Sequence, residues 1–174
     1  MNKNRFYAGI GSRKTPPEID QEIERIVDLC SLAGYTLRSG GADGADKMFE
    51  SHSEVNEIYL PWRGFNGSQS DLWLENMDLE IVKEASEIAN RYHPSWGRLS
   101  PAAKKLMTRN VFQVLGRDLR SPVDFIVCWT EDGKISGGTG QAMRIAKSLG
   151  IPIFNLYHKD CFIKVRDHIL NLKS

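Results

Sequence analysis

Cysteine is scarce and scattered in this sequence. Cys30, Cys128 and Cys161 are odd in number, far apart and form no C-x-x-C pair. That argues against a disulfide framework and a zinc site, and fits a reducing compartment. The histidines His52, His93, His158 and His168 show no metal-ligand spacing. They read as surface or structural residues, with His93 alone in a segment that could border a site. Excess charge is also missing: Lys and Arg number 23 against 22 for Asp and Glu. No general attraction to a nucleic-acid backbone or anionic lipid follows, so any anion site has to be local. No apolar run is long enough to span a membrane. Met1-Asn2-Lys3-Asn4-Arg5 leads straight into a strand-like segment without a signal-peptide core. The expectation is a cytoplasmic protein, neither exported nor anchored. Several nucleotide-enzyme motifs are lacking too. Lys14 stands where G-x-G-x-x-G would place its third glycine, and Ser39-Gly40 stands where an acidic residue would hold a ribose. There is no G-x-x-x-x-G-K-[ST] and no G-x-S-x-G, which argues against a nicotinamide dehydrogenase, a Walker-type ATPase and a hydrolase triad.

What is present is a regular alternation of strands and helices. At 174 residues and 41% hydrophobic content the chain can bury one continuous core, so residues 1–174 read as a single domain. Strands are predicted over residues 6–10, 35–39, 57–62, 124–130 and 151–156. Helices are predicted between them. The first carries Ile19, Ile23, Ile26, Cys30 and Ala33 at helical period, with Thr15, Pro16 and Glu18 as a capping box. The second spans residues 45–52. Residues 63–71 read as a loop leaving the third strand, and 63–96 as a variable loop and helical insertion. Within and beyond it, one helix places Val82, Ala85 and Ala89 inward, and another starts at Ser100-Pro101 with Ala103, Leu106, Met107 and Val114 on one face. A helix with Ala142, Ile145, Ala146 and Leu149 inward follows Ser136 to Gly140, and Phe162, Val165, Ile169 and Leu172 mark the last. This pattern predicts an α/β, Rossmann-like three-layer sandwich with a mainly parallel sheet of about five strands in the order 3-2-1-4-5.

In such a sheet the strand-to-helix turns share one edge, and the crevice opens between strands one and four. Three glycine-rich turns fall there: Gly9-Ile10-Gly11-Ser12-Arg13, Ser39-Gly40-Gly41-Ala42-Asp43-Gly44 and Gly137-Gly138-Thr139-Gly140. Glycine permits close approach to an oxyanion, and helix-start amides bind phosphate without net protein charge. Each turn alone is equally readable as a tight connection; three at one edge favour a ligand site. Trp62, Phe65, Trp73, Tyr92, Trp96 and Trp129 could stack a base or simply pack the core and rim.

The combination of Gly9-Ile10-Gly11-Ser12-Arg13 with Ser39-Gly40-Gly41-Ala42-Asp43-Gly44-Ala45-Asp46 resembles the SLOG superfamily, in particular its DprA/Smf-like DNA-processing branch and the small YpsA-like proteins. Met107-Thr108-Arg109-Asn110, then a strand, then Ser136-Gly137-Gly138-Thr139-Gly140 is similar in layout to the LOG phosphoribohydrolases. That likeness implies cleavage of a nucleoside 5′-monophosphate at its N-glycosidic bond, with Arg109 matching the family arginine. The LOG glutamate has no counterpart, since Arg144 fills its position, Asn110 replaces the lysine and Gln141 the threonine. A catalytic carboxylate then has to come from Asp46, Asp43 or Glu50. Asp46 alternatively complements the helix N-terminus, and Arg109 alternatively is a surface helix residue. The DprA likeness implies single-stranded DNA binding, for which Arg5, Arg13, Arg38, Lys104, Lys105, Arg109, Arg117 and Arg120 are the available cations.

The resulting expectation is a protein that binds a nucleotide or nucleotide-derived small molecule as a sensor or sequestering protein. Phosphate is expected at Gly9, Gly11, Ser12, Arg13 and Gly137 to Gly140, ribose near Ser39 to Asp46, and Asn110 and Trp129 beside them. If the protein is an enzyme, Asp46 stabilises the developing sugar cation and Arg109 anchors phosphate. Single-stranded DNA binding is the third reading. No cofactor or metal is expected, and relatives suggest a homodimer or higher homo-oligomer.

Overall fold

The computed structural model describes residues 4–171. Met1, Asn2, Lys3 and Leu172 of the sequence reading lie outside the described residues. Six parallel strands form one sheet: β1 (Arg5–Gly11), β2 (Tyr35–Ser39), β3 (Asn56–Leu60), β4 (Leu72–Trp73), β5 (Phe125–Trp129) and β6 (Ile153–Asn155). Their order is β4-β3-β2-β1-β5-β6, so the five predicted strands take the doubly wound order. Tyr59 and Leu60 pair with Leu72 and Trp73 to add the sixth. A two-residue strand carries no periodicity, so nothing in residues 63–96 distinguished it from loop.

Six helices cover the sheet: α1 (Asp20–Leu32), α2 (Ala45–His52), α3 (Leu79–Arg91), α4 (Pro101–Leu115), α5 (Gly137–Ser148) and α6 (Cys161–Asn171). Strand residues alternate between two cores. Tyr7, Leu37, Phe125 and Val127 face α1, α2 and α6 with Ile23, Phe49 and Val165. Ala8, Ile126 and Cys128 face α3, α4 and α5 with Ala89, Phe112 and Ile145. Burial on both faces is why β5 reads as an unbroken apolar run. No helix among the described residues is long and apolar enough to cross a membrane.

Local signals hold with two corrections, and the first is Leu149, expected inward but 54% exposed because α5 ends at Ser148 and leaves it at the C-cap. The Ser100 hydroxyl accepts the Ala103 amide at 3.1 Å with Pro101 following, as an N-cap should. Asp78 caps α3 the same way through the Ile81 amide. Thr15, however, caps nothing: its hydroxyl donates to the Ser12 carbonyl at 2.6 Å, and a short 3-10 turn, Pro17–Ile19, leads into α1. The first turn folds back on itself and takes that hydroxyl.

Candidate functional site

Beyond the carboxyl ends of β1 and β5, which stay paired as far as Gly11 and Trp129, lies a cavity of about 390 Å³, inside the usual range for small-ligand sites. Three segments enclose it. Gly11 to Lys14 form one wall, Ser136 to Thr139 at the start of α5 another, and Leu106, Met107, Arg109, Asn110 and Gln113 of α4 the third. Ala42, Asp46 and Thr130 are buried parts of the lining, and Glu131 is an exposed member beside Thr130. Among the described residues no aromatic side chain lines this space.

Asp46 organises the first two turns. It sits in the first turn of α2, only 4% exposed, and its Oδ1 accepts the Gly11 amide at 3.1 Å. The backbones of Ala42 and Gly40 also favour its charged form. Burial pushes its pKa up to about 6, while Arg109 and these backbone groups pull it back down. Arg109, 4% exposed, is no surface arginine. Its Nη1 donates to the carbonyls of Gly40 and Tyr59 and its Nε to Asn110 Oδ1 at 2.9 Å. Burial lowers its pKa to about 10, Asp46 opposing and Arg13 reinforcing the drop.

The network continues along α4. Asn110 Nδ2 donates to the Gly138 carbonyl at 3.2 Å and to Gln141 Oε1 at 3.3 Å, and Gln141 Nε2 donates to the Ala89 carbonyl. Buried polar side chains thus tie the second turn to the third. Arg144, at the position of the LOG glutamate, reaches the Tyr92 carbonyl at 3.4 Å and does not line the cavity.

The backbone donors of the first and third turns differ. In the first, Gly11 N–H goes to Asp46, Ser12 N–H to the Trp129 carbonyl, Lys14 N–H to Ser12 Oγ and Thr15 N–H to the Ser12 carbonyl. A ligand there meets the Ser12 hydroxyl and the Arg13 and Lys14 side chains rather than a row of amides. In the third, α5 begins at Gly137 with no side-chain cap from Ser136, and Gly140 N–H already closes on the Ser136 carbonyl. The first amides of a helix have no internal partner, so Gly137, Gly138 and Thr139 present theirs, with the helix dipole, at the cavity wall.

Of the sequence-predicted residues, Gly11, Ser12, Arg13, Ala42, Asp46, Arg109, Asn110, Gly137, Gly138 and Thr139 line the cavity together. Others support it from behind. Ser39 Oγ donates to the Gly9 carbonyl at 2.6 Å, joining β2 to β1, and Gly9 lies against the Phe49 ring. Gly41 gives its carbonyl to Asn66 Nδ2. A Cβ on Gly40 would run into Gln113 Nε2, Arg109 Nη1 and Asp46 Oδ2, and one on Gly140 would press the Ile135 backbone at 3.1 Å. Asp43 is exposed and pairs with Lys47 at 3.2 Å, and Trp129 packs its ring in the core beside α1, α2 and α6. Glu50 and His93 also lie off the lining. Lys14, Gln113, Thr130, Glu131 and Ser136 escaped the sequence reading. For Gln113 a signal existed: it lies four residues after Arg109, on the same helical face, inside an otherwise apolar run.

The basic residues do not form one patch. Arg13 and Arg109 are at the cavity, whereas Arg38, Arg117 and Arg120 line a second hollow near Asn4 and Asp124, at the amino ends of β1 and β5. Arg38 there is committed to Glu57 at 2.9 Å and stacks on the Phe6 ring. Arg5 lies over the Tyr35 ring, Lys105 pairs with Glu75 and Lys104 lies over Trp96. Among the described residues no cluster of three or more His, Cys, Asp or Glu could hold a metal ion.

No family model matches this chain, and no curated protein matches its sequence. Among solved structures it is similar to DNA processing protein A from Helicobacter pylori, a structure described for its single-stranded DNA binding mode. The match covers 98% of this chain and 81% of that one at a TM-score of 0.55 and 12% identity. The two share a fold.

Proposed function

We propose that the protein binds a nucleotide or nucleotide-derived phosphate compound in the 390 Å³ cavity and holds it intact, as a sensor or sequestering protein. The carrying observation is the uncapped start of α5, whose free amides face the same cavity as Arg13, Lys14 and Arg109. Such an anion site needs no net positive charge, which suits a chain of charge +1. The SLOG resemblance supports the same class of ligand.

Holding is favoured over N-glycoside cleavage by the way Asp46 is used. Cleavage needs a carboxylate that can move up to the sugar cation, and Asp46 is fixed in the wall through Oδ1 by the Gly11 amide, which leaves only Oδ2, beside Gly40, to accept from a sugar hydroxyl. Single-stranded DNA binding is the second reading, supported by the shared fold with DNA processing protein A. The split of the basic residues between two sheet edges weighs against a continuous backbone track.

Incubation with nucleoside monophosphates, dinucleotides and cyclic nucleotides, followed by mass spectrometry of retained ligand and released base, tests this reading. Retention of an intact compound, weakened by Arg13→Ala, is the expected result. Release of free base establishes a hydrolase instead. No retention, with a salt-dependent shift of a single-stranded oligonucleotide, transfers the function to DNA.

A further inference from the structure

Among the described residues, Gln113 is the one buried polar residue of the cavity lining without a hydrogen-bond partner. It is 2% exposed in the carboxyl-terminal half of α4, yet no described residue hydrogen-bonds its carboxamide. Among the described residues the fully enclosed unpaired side-chain atoms are Tyr7 Oη and His168 Nε2, so the Gln113 carboxamide keeps access to the cavity, whereas Asn110 and Gln141 nearby are paired. The Gln113 amide lies against Gly40, at the point where Arg109 Nη1 and Asp46 Oδ2 also converge. One end of the cavity therefore offers an amide that both donates and accepts, a guanidinium that donates and a carboxyl that accepts.

We infer that this end is a ribose subsite in which Gln113, beside Arg109 and Asp46, binds the sugar's cis-diol and selects ribonucleotides over 2′-deoxyribonucleotides. The inference rests on the nucleotide reading above. Hydroxyls each donate and accept, which matches this mixed trio; a second phosphate does not, because Asp46 repels it. A base is disfavoured there because, among the described residues, no aromatic ring lines the cavity to stack it. With phosphate at the start of α5 and sugar at Gln113, the base extends toward the exposed Glu131.

The test is calorimetric titration of the whole protein with AMP, GMP, CMP and UMP, each against its 2′-deoxy counterpart, and with ribose 5-phosphate against 2-deoxyribose 5-phosphate. Buried groups built to bind a hydroxyl reject the analogue lacking it strongly, so the ribo form should bind about 10-fold or more tightly. Gln113→Leu and Gln113→Met, each verified as folded by its melting transition, should reduce the ribo form to the deoxy affinity. Equal binding of the ribo and deoxy forms overturns the subsite but leaves the phosphate site standing. A ribo preference that persists in both variants overturns the role of Gln113. No binding by any of these compounds overturns the nucleotide reading and the subsite with it.

Discussion

Neutralising Asp46 should change how stability depends on pH, by an amount set by the structure. The carboxyl moves from an ordinary 3.8 to about 6 on folding, chiefly because it is buried. Between those values the folded protein keeps a proton that the unfolded chain has released. The raised pKa therefore stabilises the fold most below pH 3.8, and that contribution is lost as pH rises through 6. At about 1.4 kcal/mol for each tenfold step the loss is about 3 kcal/mol, or roughly 6–12 °C in Tm for a chain of this size. Asp46→Asn keeps an oxygen for the Gly11 amide and removes the titration.

The measurement is urea unfolding of wild type and Asp46→Asn, followed by tryptophan fluorescence at several values between pH 4 and 7. Exposed acids whose pKa is lowered by their partners, Glu75 by Lys105 and Asp118 by the Arg120 amide, push the absolute curve the other way. They cancel in the difference between the two proteins. Wild type should lose about 3 kcal/mol relative to the variant as pH rises across that window. A difference that stays constant with pH refutes the assignment of a buried, proton-holding Asp46.

Other perturbations test the same geometry. Gly40→Ala drives a methyl into Gln113, Arg109 and Asp46, and should cost about 1–3 kcal/mol in denaturant unfolding as well as abolishing ligand retention. Gly44→Ala has to hold φ +84 with its Cβ against the Ser12 carbonyl, whereas Gly64→Ala at φ +72 meets nothing. The first should melt several degrees below the second, and equal melting would falsify the close approach. Arg109→Met leaves Asp46 and the Gly40 and Tyr59 carbonyls without their cation, at a cost of about 3–5 kcal/mol by calorimetry. Arg109→Lys keeps the charge without the planar fork and should fall between.

The doubly wound sheet was legible because its signals are local. Apolar runs mark strands buried on both faces, and Ser100-Pro101 and the glycine turns punctuate them within a few residues. What stayed hidden depends on partners distant in sequence. That the Gly11 amide is taken by Asp46, 35 residues on, cannot be read from a Gly-Ser-Arg turn. The same holds for Gln113: its place inside an apolar run was a signal of burial that went unused, and its neighbours at Gly40 emerge only when α4 crosses the ends of β2 and β3. Strand β4 was invisible for a different reason, being shorter than any period.

Three glycine turns at one sheet edge do not make three equivalent phosphate cradles. A buried amide left unpaired is costly, and this chain satisfies the Gly11 amide of the first turn with the Asp46 carboxylate that follows the second. That choice fixes the relative position of the first two turns, and it places a negative charge where a second phosphate group could otherwise dock. The third turn is held differently, through its carbonyl by Asn110, which leaves its amides available. The cavity is therefore polarised: donors without a partner at the start of α5, a carboxyl, a guanidinium and an unpaired amide at the other end. A ligand that is anionic at one end and polyhydroxylated at the other satisfies both, and a uniformly charged polymer satisfies only the first.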